Sequence, residues 1–402
     1  MKVAIVGGGI GGLAAAALLS QDGHDVTVFD RFEEAKPVGS GLIIQPVGAE
    51  VLRAIGADDA IRLGQPIRRM HGIETVSGRD ALDVAYGATP DRRGLGIHRA
   101  ALHAALLSAA QESGAAFELG REVTGRDGQK LTFANGAAKG PFDLIVDASG
   151  AGSALSPLQA KPLPFGAIWA TMPWPEETEL SPVELSQRYE RAEKMIGVLP
   201  IGYLKDTSEQ KLAAIFYSLP RDREDAWRAS DFGSWREDVI GLWPAMEAFL
   251  PEGLSHDDFT FTRYSHGTLS APYDDGIAYI GDAAHRASPQ LGQGANMALL
   301  DARSLQLALR RASTLEEMLR QYAGARRWHL RLYQAASAAF TPLYQSERAL
   351  PAHLRDRILT PMGRWPGMRG ALTRLVCGDL VPPLPSLMPR APEPGQSPVR
   401  AR

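Results

Sequence analysis

The stretch Gly7-Gly8-Gly9-Ile10-Gly11-Gly12 narrows the fold of this chain more than any other. It follows the apolar run Val3-Ala4-Ile5-Val6 and precedes Leu13-Ala14-Ala15-Ala16-Ala17-Leu18-Leu19. A short strand, spaced glycines and an Ala/Leu-rich helix make the opening of a β-α-β unit. Gly7 permits the tight turn, Gly9 lets backbone approach a pyrophosphate, and Gly12 lets helix and strand pack closely. The helix start, with Ile10 and Gly11, offers free N–H groups and the positive end of the helix dipole to phosphates. A second strand over 24–29 ends at Asp30, placed to bond ribose hydroxyls, where an acid disfavours a 2′-phosphate. Arg31, next along, joins it as a candidate cofactor contact.

Some 270 residues later comes Tyr279-Ile280-Gly281-Asp282-Ala283-Ala284-His285, then Pro289 and Gly292-Gln293-Gly294-Ala295-Asn296. One glycine loop could hold any of several nucleotides, whereas the two signatures together narrow the choice to FAD. Other classes recede on composition. A net charge of −3 gives no basic field for nucleic acid or an anionic membrane. The nine histidines show no metal-ligand spacing. There is no Gly-x-Ser-x-Gly elbow and no apolar run long enough to span a membrane. The single Cys377 rules out an intrachain disulfide. With no signal peptide apparent, the expected location is cytoplasmic.

The pattern predicts an α/β fold of 402 residues with discontinuous domains. A Rossmann-type FAD-binding domain is expected over 1–70, 95–160 and 270–330. An antiparallel β-sheet substrate domain is expected over 71–94 and 161–269, and a C-terminal helical segment and tail over 331–402. Strands are expected at 72–76 and 81–84 around a Ser77-Gly78 turn, and a helix from Ile97 through about Ala110. The proline-rich stretch Pro157–Pro175 reads as the passage into the second domain. Strands at 196–199 and 211–217 flank an Asp206-Thr207-Ser208 turn, 224–249 reads as helical, and the tail from Pro382 reads as frayed.

On the glycine loop, the Ile97-His98-Arg99-Ala100-Ala101-Leu102 stretch and the Gly281–Gly294 signature, the chain resembles the class A flavoprotein aromatic hydroxylases of the para-hydroxybenzoate hydroxylase type. The resemblance covers about residues 1–345. It implies that Asp282 bonds the flavin ribityl chain and that Arg99 sits against the ribityl or phosphates. Pro289 would pack by the flavin ring where oxygen reacts. Gly292, Gly294, Ala295 and Asn296 would face the pyrimidine edge, where unpaired helix N–H groups stabilise the reduced flavin's negative charge. The loop Val38–Pro46, with Gly41, matches the one lining flavin and substrate access. The implied activity is FAD-dependent hydroxylation of a small aromatic or polycyclic substrate through a flavin C4a-hydroperoxide. The partners are that substrate and O2, NAD(P)H serves as transient reductant, and a homodimer is allowed.

One stretch departs from the family. Where a Gly-Ala-Asp-Gly run with a following arginine is usual, this chain reads Asp147-Ala148-Ser149-Gly150-Ala151-Gly152 with no arginine after it. The family Asp serves pyrophosphate contact and nicotinamide use. The alternative is therefore another FAD oxidoreductase (reductase, dehydrogenase or halogenase) drawing on an external flavin reductant. Ile168–Trp174 lacks the halogenase Trp-x-Trp-x-Ile-Pro signature. Candidates for handling a phenol are Tyr217, expected to be catalytic beside Pro289, together with Tyr203, Arg188 and His71. A strand tyrosine is commonly packing, and Arg188 lies in a charge run, Gln187-Arg188-Tyr189-Glu190-Arg191, that reads as solvated. The Trp328-His329-Leu330 and Tyr333 stretch reads as a buried helix face.

Overall fold

Strand Lys2–Val6 forms the centre of a six-stranded sheet because each of Val3 to Val6 is buried from both faces. Parallel neighbours are Asp25–Phe29 on one side and Leu144–Asp147 on the other, with Ile277–Tyr279 and Ala116–Glu118 further out. An antiparallel strand, Tyr273–Asp274, closes one edge. The computed structural model describes residues 1–33, 40–87, 89–205 and 210–384. The expected 206–208 turn, Val38-Gly39 and the tail beyond 384 lie outside them.

Helix Ile10–Gln21 buries nine of its twelve residues, so it is apolar all round rather than on one stripe. A Cβ on Gly12 would stand 1.9 Å from the Gly7 carbonyl oxygen. Only glycine allows this helix to lie so close to the turn, whose Gly7 has φ of +102°. Helices Arg99–Glu112 and Gly294–Leu309 pack against it. The Arg99–Glu112 helix starts later than its sequence suggests. Gly94–His98 is a strand, and the Nδ1 of His98 caps the helix by accepting from the Ala100 N–H.

The second sheet has eight strands. In order they are His285–Arg286, Thr260–Thr268, Lys161–Pro173, Leu212–Pro220, Lys194–Gly202, Glu184–Glu190, Arg69–Glu74 and Asp80–Ala85. All pairs are antiparallel except Glu184–Glu190 with Arg69–Glu74. Three sequence expectations change here. The proline-rich passage is largely one 13-residue strand, with Pro162 and Pro164 at a register shift against its neighbour. The charge run around Arg188 is a strand. The expected 224–249 helix is broken into Glu224–Arg228, Phe232–Leu242 and a 3-10 turn at Pro244–Ala248. Asp231 restarts it by accepting from the Ser234 N–H, and Pro244 ends it because the residue before proline is driven out of helical geometry.

These broken helices cover the outer face of the sheet around Trp227, Trp235 and Trp243. A three-stranded sheet, Gly41–Ile44, Gly94–His98 and Gln65–Ile67, bridges the two large sheets. The 30-residue helix Leu315–Tyr344 and the short helices Ala349–Leu354, Thr360–Gly363 and Pro366–Cys377 close the remaining side. Among the described residues no helix is long and apolar enough to cross a membrane.

Candidate functional site

Between the two sheets lies one cavity of about 830 Å³, large enough for an extended ligand and a smaller one beside it. Two helix N-termini open onto it. Helix Ile10–Gln21 has Gly9 at its N-cap and helix Gly294–Leu309 has Gln293; neither carries a side-chain cap. Their first N–H groups are therefore available to a ligand, and both dipoles present positive charge. A Cβ on Gly9 or Gly294 would meet nothing within 4 Å, so each backbone borders open space.

Side chains add to the site, Arg99 and Asp282 from the cavity lining and Asp30 from beside the glycine loop, outside that lining. Asp30 accepts from the Gly8 N–H at 2.6 Å and the Phe32 N–H at 2.9 Å, which fixes its carboxylate at the end of its strand. Arg99 and Asp282 border the cavity with their charged groups unpaired among the described residues, and the Arg99 backbone N–H donates to the Ser40 carbonyl. Ser40 in turn donates to the Ala170 carbonyl, tying the described part of the 38–46 loop to the second sheet. Buried and unpartnered near Gly292 are the Nε2 of Gln45 and the Oε1 of Gln293. A dinucleotide fits this arrangement: open glycine backbone, two uncapped N-termini, a free cation, a free carboxylate and orphaned amide atoms along one cleft.

The expected cofactor residues do not all reach the cavity. Gly9, Ile10, Gly11, Gly41, Arg99, Asp282, Pro289, Gly292, Gly294 and Ala295 line it. Gly7 and Gly12 shape the turn behind it. Arg31 is exposed and its guanidinium lies over the Phe32 ring at 4.9 Å. Asn296 is corrected from flavin contact to structural staple. Fully buried, it accepts from the Gln45 N–H and donates to the carbonyls of Ile43 and Gly292, so its side chain is fully engaged.

Register decides the substrate candidates. One cross-strand row is Arg188–Ile196–Tyr217–Ile168; the next is Gln187–Gly197–Phe216–Trp169. Because strand side chains alternate, the two rows face opposite ways. The second faces the cavity and the first the tryptophan cluster. Tyr217, expected as catalytic, faces away from the cavity: its ring stands edge-on to Trp235 at 5.7 Å, and burial pushes its hydroxyl far above the usual tyrosine range. Arg188 is half-buried rather than fully solvated, its guanidinium stacking over Trp243 at 4.7 Å. His71 and Tyr203 do not border the cavity either. His71 is raised by hydrogen bonding to Glu184, with Asp80 adding to it.

The sheet carrying Leu199 and Phe216-Tyr217 is the roof that the sequence leads one to expect, and Leu199 and Phe216 do line the cavity; Trp169, Gln187 and Tyr189 beside them were missed. Phe216 and Trp169 stack at 4.7 Å between centroids, and the Trp169 Nε1–H donates to the Tyr264 hydroxyl. A Cβ on Gly197 would strike the Phe216 ring at 2.1 Å, so glycine is what lets that ring lie over the sheet. Tyr189, Phe340, Leu372 and Val376 complete the chamber, the last two from the C-terminal helix. A period-2 reading of Leu185-Ser186-Gln187-Arg188-Tyr189 was the available signal, obscured by the charges around it.

His285 serves the site from behind. It is 4% exposed and bonds Asp301 at 2.6 Å, while Asp301 also accepts from the Gly281 N–H and from Arg326. Burial pushes the Asp301 carboxyl up, but His285 and Arg326 hold it below the usual carboxylate range. Trp328, expected in a buried face, is 66% exposed, whereas His329, Leu330 and Tyr333 are buried. Asp147 is buried under the 147–156 loop, accepting from the hydroxyls of Ser149 and Ser153.

Comparison with known proteins agrees with this architecture. A family model described as "FAD binding domain" matches residues 1–137 and 254–335. The chain is 28% identical to an FAD-dependent urate hydroxylase of Klebsiella pneumoniae over 81% of its own length and 86% of that relative. It is 30% identical to the 3-amino-4-hydroxybenzoate 2-monooxygenase of Streptomyces cremeus, over 81% of this chain and 83% of that one. Among solved structures, Klebsiella pneumoniae HpxO complexed with FAD and uric acid superposes with a TM-score of 0.72 at 20% identity, over 94% and 97% of the two chains. The tetrameric form of 2-methyl-3-hydroxypyridine-5-carboxylic acid oxygenase gives 0.72 at 24% identity, over 88% and 94%.

Proposed function

The chain belongs to the FAD binding domain family, and on that footing we propose that it is an FAD-dependent monooxygenase that hydroxylates a small aromatic substrate, with NAD(P)H as the transient reductant. The observation that carries the reading is the convergence of two uncapped helix N-termini on one cavity that continues into an aromatic chamber. The N–H groups at Gly9–Gly11 would hold the pyrophosphate, Asp30 the ribose, and Arg99 and Asp282 the ribityl-phosphate chain. Gly292, Gly294 and Ala295 would offer their backbone to the ring's pyrimidine edge, beside Pro289. FAD held there and reduced would supply the activation of dioxygen, and one atom of that dioxygen would go to the substrate.

The chain itself supplies orientation and dryness. Phe216 and Trp169 give a flat aromatic wall, while Phe340, Leu372 and Val376 keep water away from the reacting face. Burial holds Tyr264 well above the usual tyrosine range, so it stays a neutral hydroxyl that positions Trp169. A second reading, electron supply by a separate flavin reductase, is favoured by the 147–150 loop, where Ser149 takes the place of an exposed acid and Asp147 is buried beneath it. Mixing the FAD-loaded protein with NADH or NADPH and phenols separates the two. Substrate-stimulated bleaching with O2 uptake and incorporation of labelled oxygen supports the first. Bleaching only by dithionite or an added reductase supports the second. Protein that refuses FAD sinks both. The expected homodimer is kept as a proposal, with Leu350 and Trp365 as exposed apolar residues on the C-terminal helices.

A further inference from the structure

The aromatic chamber beyond the cofactor cleft has a definite polarity, and it rests on the reading above that FAD fills the cleft. Each arginine bordering the chamber is already engaged. Arg355, 1% exposed, bonds Asp356 and donates to the carbonyls of Leu343 and Arg191 while stacking on Tyr189 and Tyr344. Arg263 pairs with Glu224, and Arg286 donates to the carbonyls of Asp282 and Ala151. Arg99 stands on the cofactor side, next to Ser40. Among the described residues no lysine or histidine lines the cavity, and its one further acid, Asp83, pairs with Arg69. An anionic substrate would be desolvated here without a free cation to meet it, which is costly.

Beyond the cofactor turn, where Gln290 Nε2 and Gln293 Oε1 are also buried without a partner, two neutral groups remain open. The Oε1 atoms of Gln187 and Gln345 are buried and lack any partner, although the residues are only 5% and 3% exposed and both border the cavity. Their amide orientation is fixed by what the nitrogens face: Gln187 Nε2 donates to the Met195 sulfur and Gln345 Nε2 to the Gly166 carbonyl. Each oxygen is thus an acceptor awaiting a donor. Gln187 lies in the same cross-strand row as Phe216, whose ring leans over Gly197 toward it. A buried acceptor left unpaired is unfavourable, so a ligand that brings an N–H or O–H is selected over one that does not.

We propose that the chamber takes an electrically neutral aromatic molecule bearing N–H or O–H donors, and that the side-chain oxygens of Gln187 and Gln345 receive those donors. The substrate class follows: an uncharged phenol or N–H heteroaromatic rather than an aromatic carboxylate. Gln187 and Gln345 act as specificity-determining residues and touch no reacting atom.

The test uses FAD-loaded enzyme and three matched ligands: 2-naphthol, 2-methoxynaphthalene and 6-hydroxy-2-naphthoate. Dissociation constants are read from the perturbation of the flavin absorbance. Naphthol is expected to bind about tenfold more tightly than the methyl ether, the worth of one neutral hydrogen bond. It should exceed the carboxylate by at least that factor. In Gln187→Leu with Gln345→Leu, checked for unchanged flavin content, the naphthol-to-ether ratio should fall toward one. Tighter binding of the carboxylate, equal binding of naphthol and its ether, no binding of any of the three, or an unchanged ratio in the double variant overturns the proposal. If the double variant loses its fold, the wild-type comparison decides alone. Flavin uptake, measured first, tests the functional reading separately: protein that binds FAD but fails the ligand comparison overturns only the present inference.

Discussion

Asp282 and Asp301 stand nineteen positions apart on either side of one turn, and they carry different loads. Asp282 is exposed to the cleft and its carboxylate bonds no protein donor, so that carboxylate is open to the cofactor. A charge-assisted hydrogen bond contributes about 1.5–3 kcal/mol. Asp282→Ala is therefore expected to weaken FAD binding by tenfold or more with little change in the apoprotein's melting temperature, measured by flavin fluorescence and calorimetry. Asp301 is fully buried and holds the Gly281 N–H, His285 and Arg326 at once. Replacing it with Asn leaves Arg326 buried without its counter-ion, a loss of about 3–5 kcal/mol. Asp301→Asn should lower the denaturation midpoint of the apoprotein itself, and an unchanged midpoint would show that the ion pair contributes nothing. The two residues differ in what they face, and the sequence marks only the first, inside its motif.

At the level of strands and helices, the local rules and the long-range ones separate cleanly. The Lys2–Val6 strand, the Gly7–Gly12 turn, Asp30 and the Gly281–Gly294 stretch were legible because their geometry is set within a few residues of chain. The chamber was legible only as the sheet around Leu199 and Phe216. Gln187, Phe216 and Leu372 arrive from two strands and a C-terminal helix, and only register and packing bring them together. Tyr217 shows how one position decides a role: a strand's face reverses at each residue, so the neighbour Phe216 takes the cavity and Tyr217 the tryptophan cluster. The strand Lys161–Pro173 was hidden by its prolines, although its centre, Phe165–Met172, pairs on one side along its whole length. This assignment is testable by a matched pair. Tyr217→Phe should leave kcat/KM within about twofold, since it removes one outward hydroxyl. Phe216→Leu should raise KM clearly, because a branched aliphatic chain cannot replace the ring's stacking on Trp169, worth about 0.5–1.5 kcal/mol. Steady-state kinetics of both variants decide it, and the reverse ranking would put the chamber on the wrong face of the sheet.

Across the whole molecule, one buried polar network joins the cofactor turn to the C-terminal helices, and it carries a pH dependence. From Gly281 it runs through Asp301 to Arg326, whose Nη1 donates to the Nδ1 of His329 at 3.1 Å. The Nε2–H of His329 then donates to the Gly378 carbonyl at 2.8 Å, just past the Pro366–Cys377 helix that walls the chamber. Burial, reinforced by the Arg326 guanidinium, pulls His329 down to about 3 from 6.5. Between those values the unfolded chain binds a proton that the folded chain does not, so stability falls as pH falls through that window. The full shift corresponds to about 5 kcal/mol. Asp301, also held low, loses its contribution in the same direction at lower pH. His71 works the other way, since its raised pKa contributes stability below its unfolded value and loses it as pH rises; being partly exposed, it is screened in part by solvent. With saturating FAD in every sample, so that ligand linkage is shared, the melting temperature of the wild type should fall steeply from pH 6.5 to 4.5. His329→Gln retains a donor for Gly378 and has no proton to gain; it should start lower and fall less. Parallel curves for the two proteins would mean that acid opens the molecule somewhere other than the strut between cofactor turn and chamber wall.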